Sequence, residues 1–166
     1  MAIKLVFLSL TVFSLTTVLS QESKNILQTE KTIAAIDSVI SSGNNIVQYI
    51  RPLLSDDGGE IFLKHRYTID TVKMILYKAV YDLLGFEQIT FYYNNQKILK
   101  AIVSDTSLKT GPHTCEYYFT DGSISSVNEQ GIGDTQRSWN KKAIASQANQ
   151  YLVDFSGICD MLNKWK

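Results

Sequence analysis

The chain predicts an α+β domain: an antiparallel β-meander of about five or six strands, packed on one face by N-terminal and C-terminal helices. Three observations carry that prediction. Two tandem hairpin signatures lie between Phe86 and Asn128, namely Phe91-Tyr92-Tyr93-Asn94-Asn95-Gln96-Lys97-Ile98 and Tyr117-Tyr118-Phe119-Thr120-Asp121-Gly122-Ser123-Ile124. Each is an aromatic run, a tight polar turn and an aliphatic return, and Asp-Gly is a strong hairpin signal because both turn residues must accept φ > 0. Before them, Ile26, Ile33, Ile36 and Ile40 form a helical stripe. After them, Ile144, Ala148, Tyr151, Leu152, Phe155, Ile158, Cys159 and Leu162 form another.

In chain order, residues 1–20 read as a secretory signal peptide. A single lysine precedes the apolar run Leu5 to Leu19, and Val18-Leu19-Ser20 supplies small residues at a cleavage point. Five hydroxyl residues dilute that run, whereas a spanning helix needs about 20 predominantly apolar residues. The expected mature chain is one domain, residues 21–166, which is long enough to bury a real core. Losing Lys4 leaves 15 of the 16 basic residues against 16 acidic ones, a net charge of −1. That balance lacks the basic footprint nucleic acid requires. No membrane span is expected after cleavage, and the chain belongs in the periplasm or outside the cell.

The first helix is expected from Ser23, as N-cap, to a stop at Ser41-Ser42-Gly43-Asn44-Asn45. Ile46 to Leu54 resumes apolar character, but Pro52 forbids a regular helix beyond Arg51. Ser55 to Gly59 is a turn, and Glu60 to Tyr67 alternates weakly as a strand. Val72 to Leu84 is ambiguous. Periodicity favours a helix capped by Asp70, while β-branched and aromatic content and the direct run into the next strand favour a strand, which is the assignment adopted. In the hairpins, the turns set Tyr93 opposite Ile98, Phe91 opposite Lys100 and Ile89 opposite Ile102. They likewise set Phe119 opposite Ile124 and Tyr117 opposite Ser126. Ser104 to Pro112 and Gln130 to Arg137 are loops, and Ser138 caps the last helix.

Cys115 and Cys159 are an even pair in an oxidising compartment, one on a strand face and the other on the buried stripe of the last helix. A disulfide between them would staple helix to sheet, closing a 45-residue loop worth about 3–4 kcal/mol. Catalytic patterns are thin. His113 and Cys115 share a strand face, but a nucleophile needs a free, low-pKa thiolate. His65 stands apart. Cys115, His113 and Cys159 lack zinc-site spacing. Asp56 to Glu60 lacks the alternating oxygen ligands of a calcium loop, and Gly131-x-Gly133 is too short for a phosphate cradle. Glu87, Glu116 and Glu129 are scattered. No catalytic residue, cofactor or metal is therefore expected. The distinctive feature is tyrosine on strands, and an outward patch of Tyr92, Tyr118 and Lys97 is the expected recognition surface.

Gly58-Gly59-Glu60, Tyr81-x-x-x-Gly85 and the two hairpin runs resemble a group of small exported Gram-negative bacterial proteins, themselves uncharacterised. In those, Y-Y-F-x-[ND]-G-K-[LI] hairpins recur in an antiparallel meander. The resemblance spans Gly58 to Asn128, implies the meander and a strand over Val72 to Tyr81, and brings no activity with it. Gln96 departs from it, standing where the turn glycine would be. The function expected is a non-enzymatic binding or interaction module for a protein or glycan partner. The alternative is a small secreted hydrolase or carbohydrate-active protein.

Overall fold

The structure is a computed structural model that describes residues 2–43, 45–54, 60–83, 87–105, 112–131 and 140–164, with side chains from Gln21 onward except for residues 52–54, 60–63 and 83. The order is α1 (Ala2–Ser42), β1 (Ile46–Leu54), β2 (Glu60–Asp70), β3 (Ile75–Leu83), β4 (Glu87–Asn94), β5 (Lys97–Asp105), β6 (His113–Thr120), β7 (Ser123–Gly131) and α2 (Lys141–Lys164). The strands form one antiparallel sheet in sequence order, a seven-stranded meander. The strand beyond the expected count is β1, the apolar stretch that carries Pro52 and sits at the sheet's edge, where proline is tolerated. Among the described residues no helix is long and apolar enough to cross a membrane.

Local chemistry explains the connections. Val72 to Tyr81 is divided: Thr71 to Met74 is a turn and the strand begins at Ile75. Asp70 makes that turn by accepting hydrogen bonds from the backbone N–H groups of Val72 and Lys73 at 3.0 and 2.9 Å. Asn95 and Gln96 both hold positive φ, 48° and 60°, as do Asp121 and Gly122 at 50° and 78°. Both hairpins therefore carry two-residue turns with φ > 0 at both positions, the signature of type I′. Gln96 accepts the left-handed conformation without being glycine, at a cost of about 1 kcal/mol. Asn140 caps α2, accepting from the Lys142 N–H at 2.8 Å. The expected Ser138 cap lies outside the described residues, as do the Asp56–Asp57–Gly58–Gly59 loop and Gly133. Ser23 lies inside α1 rather than at its start.

The hairpin registers begin as expected and then slip. Tyr93 faces Ile98 and Phe119 faces Ile124, but Phe91 faces Ala101, Ile89 faces Val103 and Tyr117 faces Val127. A bulge sits between Tyr92 and Tyr93 and another between Tyr118 and Phe119, at the equivalent place in both copies. Each inserts one residue into the return strand. The slip turns Lys100 and Ile102 to the opposite face from Ile98, Ala101 and Val103.

The two helices lie on opposite faces of the sheet, not on one. α2 covers the face carrying Tyr67, Ile69, Leu76, Ala79, Phe91, Tyr93, Ala101 and Tyr117, with Ile144, Ala148, Tyr151, Phe155 and Ile158 against them. α1 covers the other, where Ile33 and Ile36 pack on Tyr77 and Tyr92. Two-sided cover is why Phe91, Tyr92 and Tyr93 are all buried in succession.

Two tyrosines of the α2 layer differ in how their hydroxyls are treated. Tyr93 donates to the Ala148 carbonyl at 2.9 Å, whereas the Tyr151 hydroxyl is buried with no hydrogen-bond partner. Tyr93→Phe should therefore lose about 1 kcal/mol. Tyr151→Phe should be neutral or gain up to about 1 kcal/mol by removing an unsatisfied buried group. Urea unfolding midpoints check the contrast, and equal losses in both variants would refute it.

Candidate functional site

The expected recognition surface does not assemble. Tyr92 and Tyr118 are 7% and 6% exposed, covered by α1, while Lys97 stands in solvent beside the β4–β5 turn. The Tyr118 hydroxyl donates to Glu30 on α1 at 2.7 Å and lies 3.1 Å from Glu116, the alternative acceptor for its one proton. Lys100 is at the centre of this layer, 3% exposed, with its Nζ 2.6 Å from Glu30, 2.7 Å from Glu116 and 4.8 Å above the Tyr118 ring. Asn128 donates to the second Glu116 oxygen at 3.0 Å. Burial by itself would lower the Lys100 pKa, but hydrogen bonds with Glu116, Glu30 and Tyr118 more than reverse that and hold it above the usual value. Burial alone would raise Glu116, yet Lys100 and Asn128 hold it below the usual carboxylate range. Burial, reinforced by Glu30, pushes the Tyr118 hydroxyl up to about 12. This group is a polar clasp joining α1 to β5, β6 and β7.

The cysteines are both free, so the expected disulfide is absent from the structure. The two cysteines share the α2 face of the sheet but not a position along it. Cys115 is level with Val103 and Ile89, while Cys159 lies with Leu152 and Phe155 beside Met74 and Gln96, at the β4–β5 turn. Ile89 and that turn are separated by some six residues of strand, roughly 20 Å, and a disulfide needs Cα atoms within about 7 Å. Burial raises both thiol pKa values, the reverse of what a reactive cysteine needs.

The other sequence candidates disperse. His113 Nε2 is 2.8 Å from Glu129, near the end of β6, with Asp105 opposite it on β5. Glu116 belongs to the clasp on the other face. Gly131, at φ 132°, closes β7 where an added Cβ would come within 2.5 Å of the Pro112 carbonyl oxygen, so its role is close backbone approach. Among the described residues no group of three or more His, Cys, Asp or Glu could hold a metal ion.

What the fold does build is a groove where α2 overhangs β1 and β2. Val47, Tyr49 and Arg51 alternate onto the α2-facing side of β1. Two clefts, about 470 and 240 Å³, share Tyr49, Ile158 and Met161 as common walls. The smaller is apolar, closed by Val47, Ile69 and Leu162. The larger carries charge: Arg51 lies 4.0 Å from Asp154, which accepts from the Tyr67 hydroxyl at 2.9 Å and from Gln150 at 2.9 Å. Behind it, His65 packs edge-on to Tyr81 at 5.7 Å and against Tyr151 at 5.4 Å. Burial lowers the His65 pKa, with Asp154 opposing and Arg51 assisting, so the ring is neutral at pH 7. Its Nδ1 is buried without a partner. Val47, Tyr49, Val153 and Met161 are exposed around this groove although all are large and apolar. Sequence reasoning missed it because β1 was not recognised as a strand, and its signal was the alternation Val47, Tyr49, Arg51 before Pro52. No family model, curated protein or solved structure matches the chain.

Proposed function

We propose that this is an exported, non-enzymatic binding module that takes its partner in the groove between β1 and α2. The observation that carries the reading is the groove itself: two adjoining clefts with an apolar end, a charged end and a rim of exposed Val47, Tyr49 and Met161. Concave, mostly apolar sites with a few polar groups are where ligands are held, and exposed apolar patches mark interaction surfaces. Export rests on the composition of residues 1–20, which places the partner in the periplasm or the medium. The hydrolase alternative has weaker support, since His113 with Glu129 faces a cysteine whose thiol is held protonated by burial.

The test is capture from native envelope and medium with residues 21–166 as bait, comparing the wild type with Met161→Glu, Tyr49→Ala and, as a control on the other sheet edge, Val127→Glu. The expected result is loss of the captured species in the first two and retention in the third. Equal recovery in all four would discard the groove. Tyr92 and Tyr118 are poor probes, because changing them disturbs α1 packing.

A further inference from the structure

The groove runs beside a strand edge. β1 ends the sheet order, so its outer backbone has no partner strand among the described residues. We propose that the partner is an extended polypeptide segment that adds antiparallel to Ile46–Arg51 as another strand, setting a large apolar side chain beside Val47 and a carboxylate beside Arg51. This rests on the groove reading above and specifies what fills it.

The two sheet edges are treated differently. β7 exposes Ser123, Ser125, Asn128, Glu129 and Gln130, with Val127 its one large apolar residue exposed, at 37%, a mostly polar edge that disfavours strand addition. β1 exposes Val47 at 50%, Tyr49 at 38% and Ile50 at 52%, which invites it. Along β1 the residues particular to each cleft, Val47 and Arg51, are four apart on one face, roughly 13 Å. An added strand has side chains at that same interval, and antiparallel pairing reverses the order, so the acidic residue precedes the apolar one by four positions. Arg51 suits a carboxylate: its side chain is 58% exposed, and its ion pair with Asp154, already bonded by Tyr67 and Gln150, is long at 4.0 Å. A second copy of β1 fits less well. Ile46–Leu54 contains no carboxylate to meet Arg51, and Pro52 has no N–H to offer a symmetric mate.

A display library of random peptides panned on residues 21–166 tests this, with hydrogen–deuterium exchange on the best binder. The expected pool carries Asp or Glu four positions before a large apolar residue, and its best member slows exchange at Ile46–Arg51. Arg51→Glu should weaken that peptide by about fivefold or more, and panning on the variant should enrich Lys or Arg at the acidic position. A pool without that spacing, binders that leave β1 exchange unchanged, or a dimer protecting β1 in the absence of peptide would each overturn strand addition. If no peptide is retained while native capture still depends on Met161, strand addition fails and the groove stands. If Met161→Glu leaves native capture unchanged, the groove reading fails as well.

Discussion

Tyr151→Ala should destabilise the domain by about 3–5 kcal/mol, the range for removing a large aromatic from a packed core. Tyr151 is fully buried on α2, with ring centroids 5.4 Å from His65, 5.4 Å from Tyr67 and 5.3 Å from Phe91. It is where the helix crosses β2 and β4, so neighbours held by the sheet cannot collapse into the space it leaves. Tilted aromatic contacts of this kind add about 0.5–1.5 kcal/mol each beyond buried area. Loss of the unpartnered hydroxyl offsets at most about 1 kcal/mol of this. Because a domain of this size has roughly 5–15 kcal/mol in total, the loss is a large share of its stability. Urea denaturation should show a lower midpoint at an unchanged slope, and a shift equivalent to less than about 1.5 kcal/mol would mean that α2 repacks instead.

Much of this architecture is legible in residues, and the misses have physical reasons. Asp121-Gly122 and the aromatic runs identify both hairpins because two-residue turns restrict φ so tightly. The bulges were invisible, since a one-residue insertion at Leu99 or Ser125 in the return strand leaves local composition unchanged and shows only in cross-strand register. Opposite placement of the helices did have a signal. Phe91-Tyr92-Tyr93 and Tyr117-Tyr118-Phe119 are unbroken apolar runs, which is how a strand buried on both sides reads. Treating them as alternating left a tyrosine face for solvent that α1 in fact covers. Cys115 and Cys159 illustrate a further limit: periodicity assigns a face but not a position along it. Lys100 went unnoticed because lysine is almost never buried unless paired, and its partners come from Glu30 and Glu116, elements 70 and 16 residues away.

Lys100→Met should loosen α1 from the sheet, at a cost of about 2–4 kcal/mol. Breaking a fully buried ion pair costs about 3–5 kcal/mol, and the discount reflects Glu30, whose side chain is 41% exposed and keeps some hydration. Without the ammonium, Glu30 and Glu116 converge on the Tyr118 hydroxyl with no cation between them. The apolar hold on α1 comes from Ile33, Ile36 and Ile40 against Tyr77 and Tyr92, flanked by Ile75, Leu99 and Ile102, and the clasp adds a polar hold beside it. The pH response separates this from ordinary packing loss. In the wild type the raised Lys100 pKa contributes stability that is complete below its ordinary value of 10.5 and is lost only as pH rises through the folded value. The lowered Glu116 pKa contributes stability present above its ordinary value of 4.5 and lost as pH falls through the folded value. Wild-type docking should thus hold steady across neutral pH and weaken on acidification below about 4.5. In Lys100→Met the sign reverses, because two carboxylates in one site favour a proton, and acidification from neutral pH should restore part of the loss. Hydrogen exchange over residues 21–42, followed from neutral to acidic pH in both proteins, reads this directly. Parallel pH profiles would show that Lys100 acts through its methylenes rather than its charge.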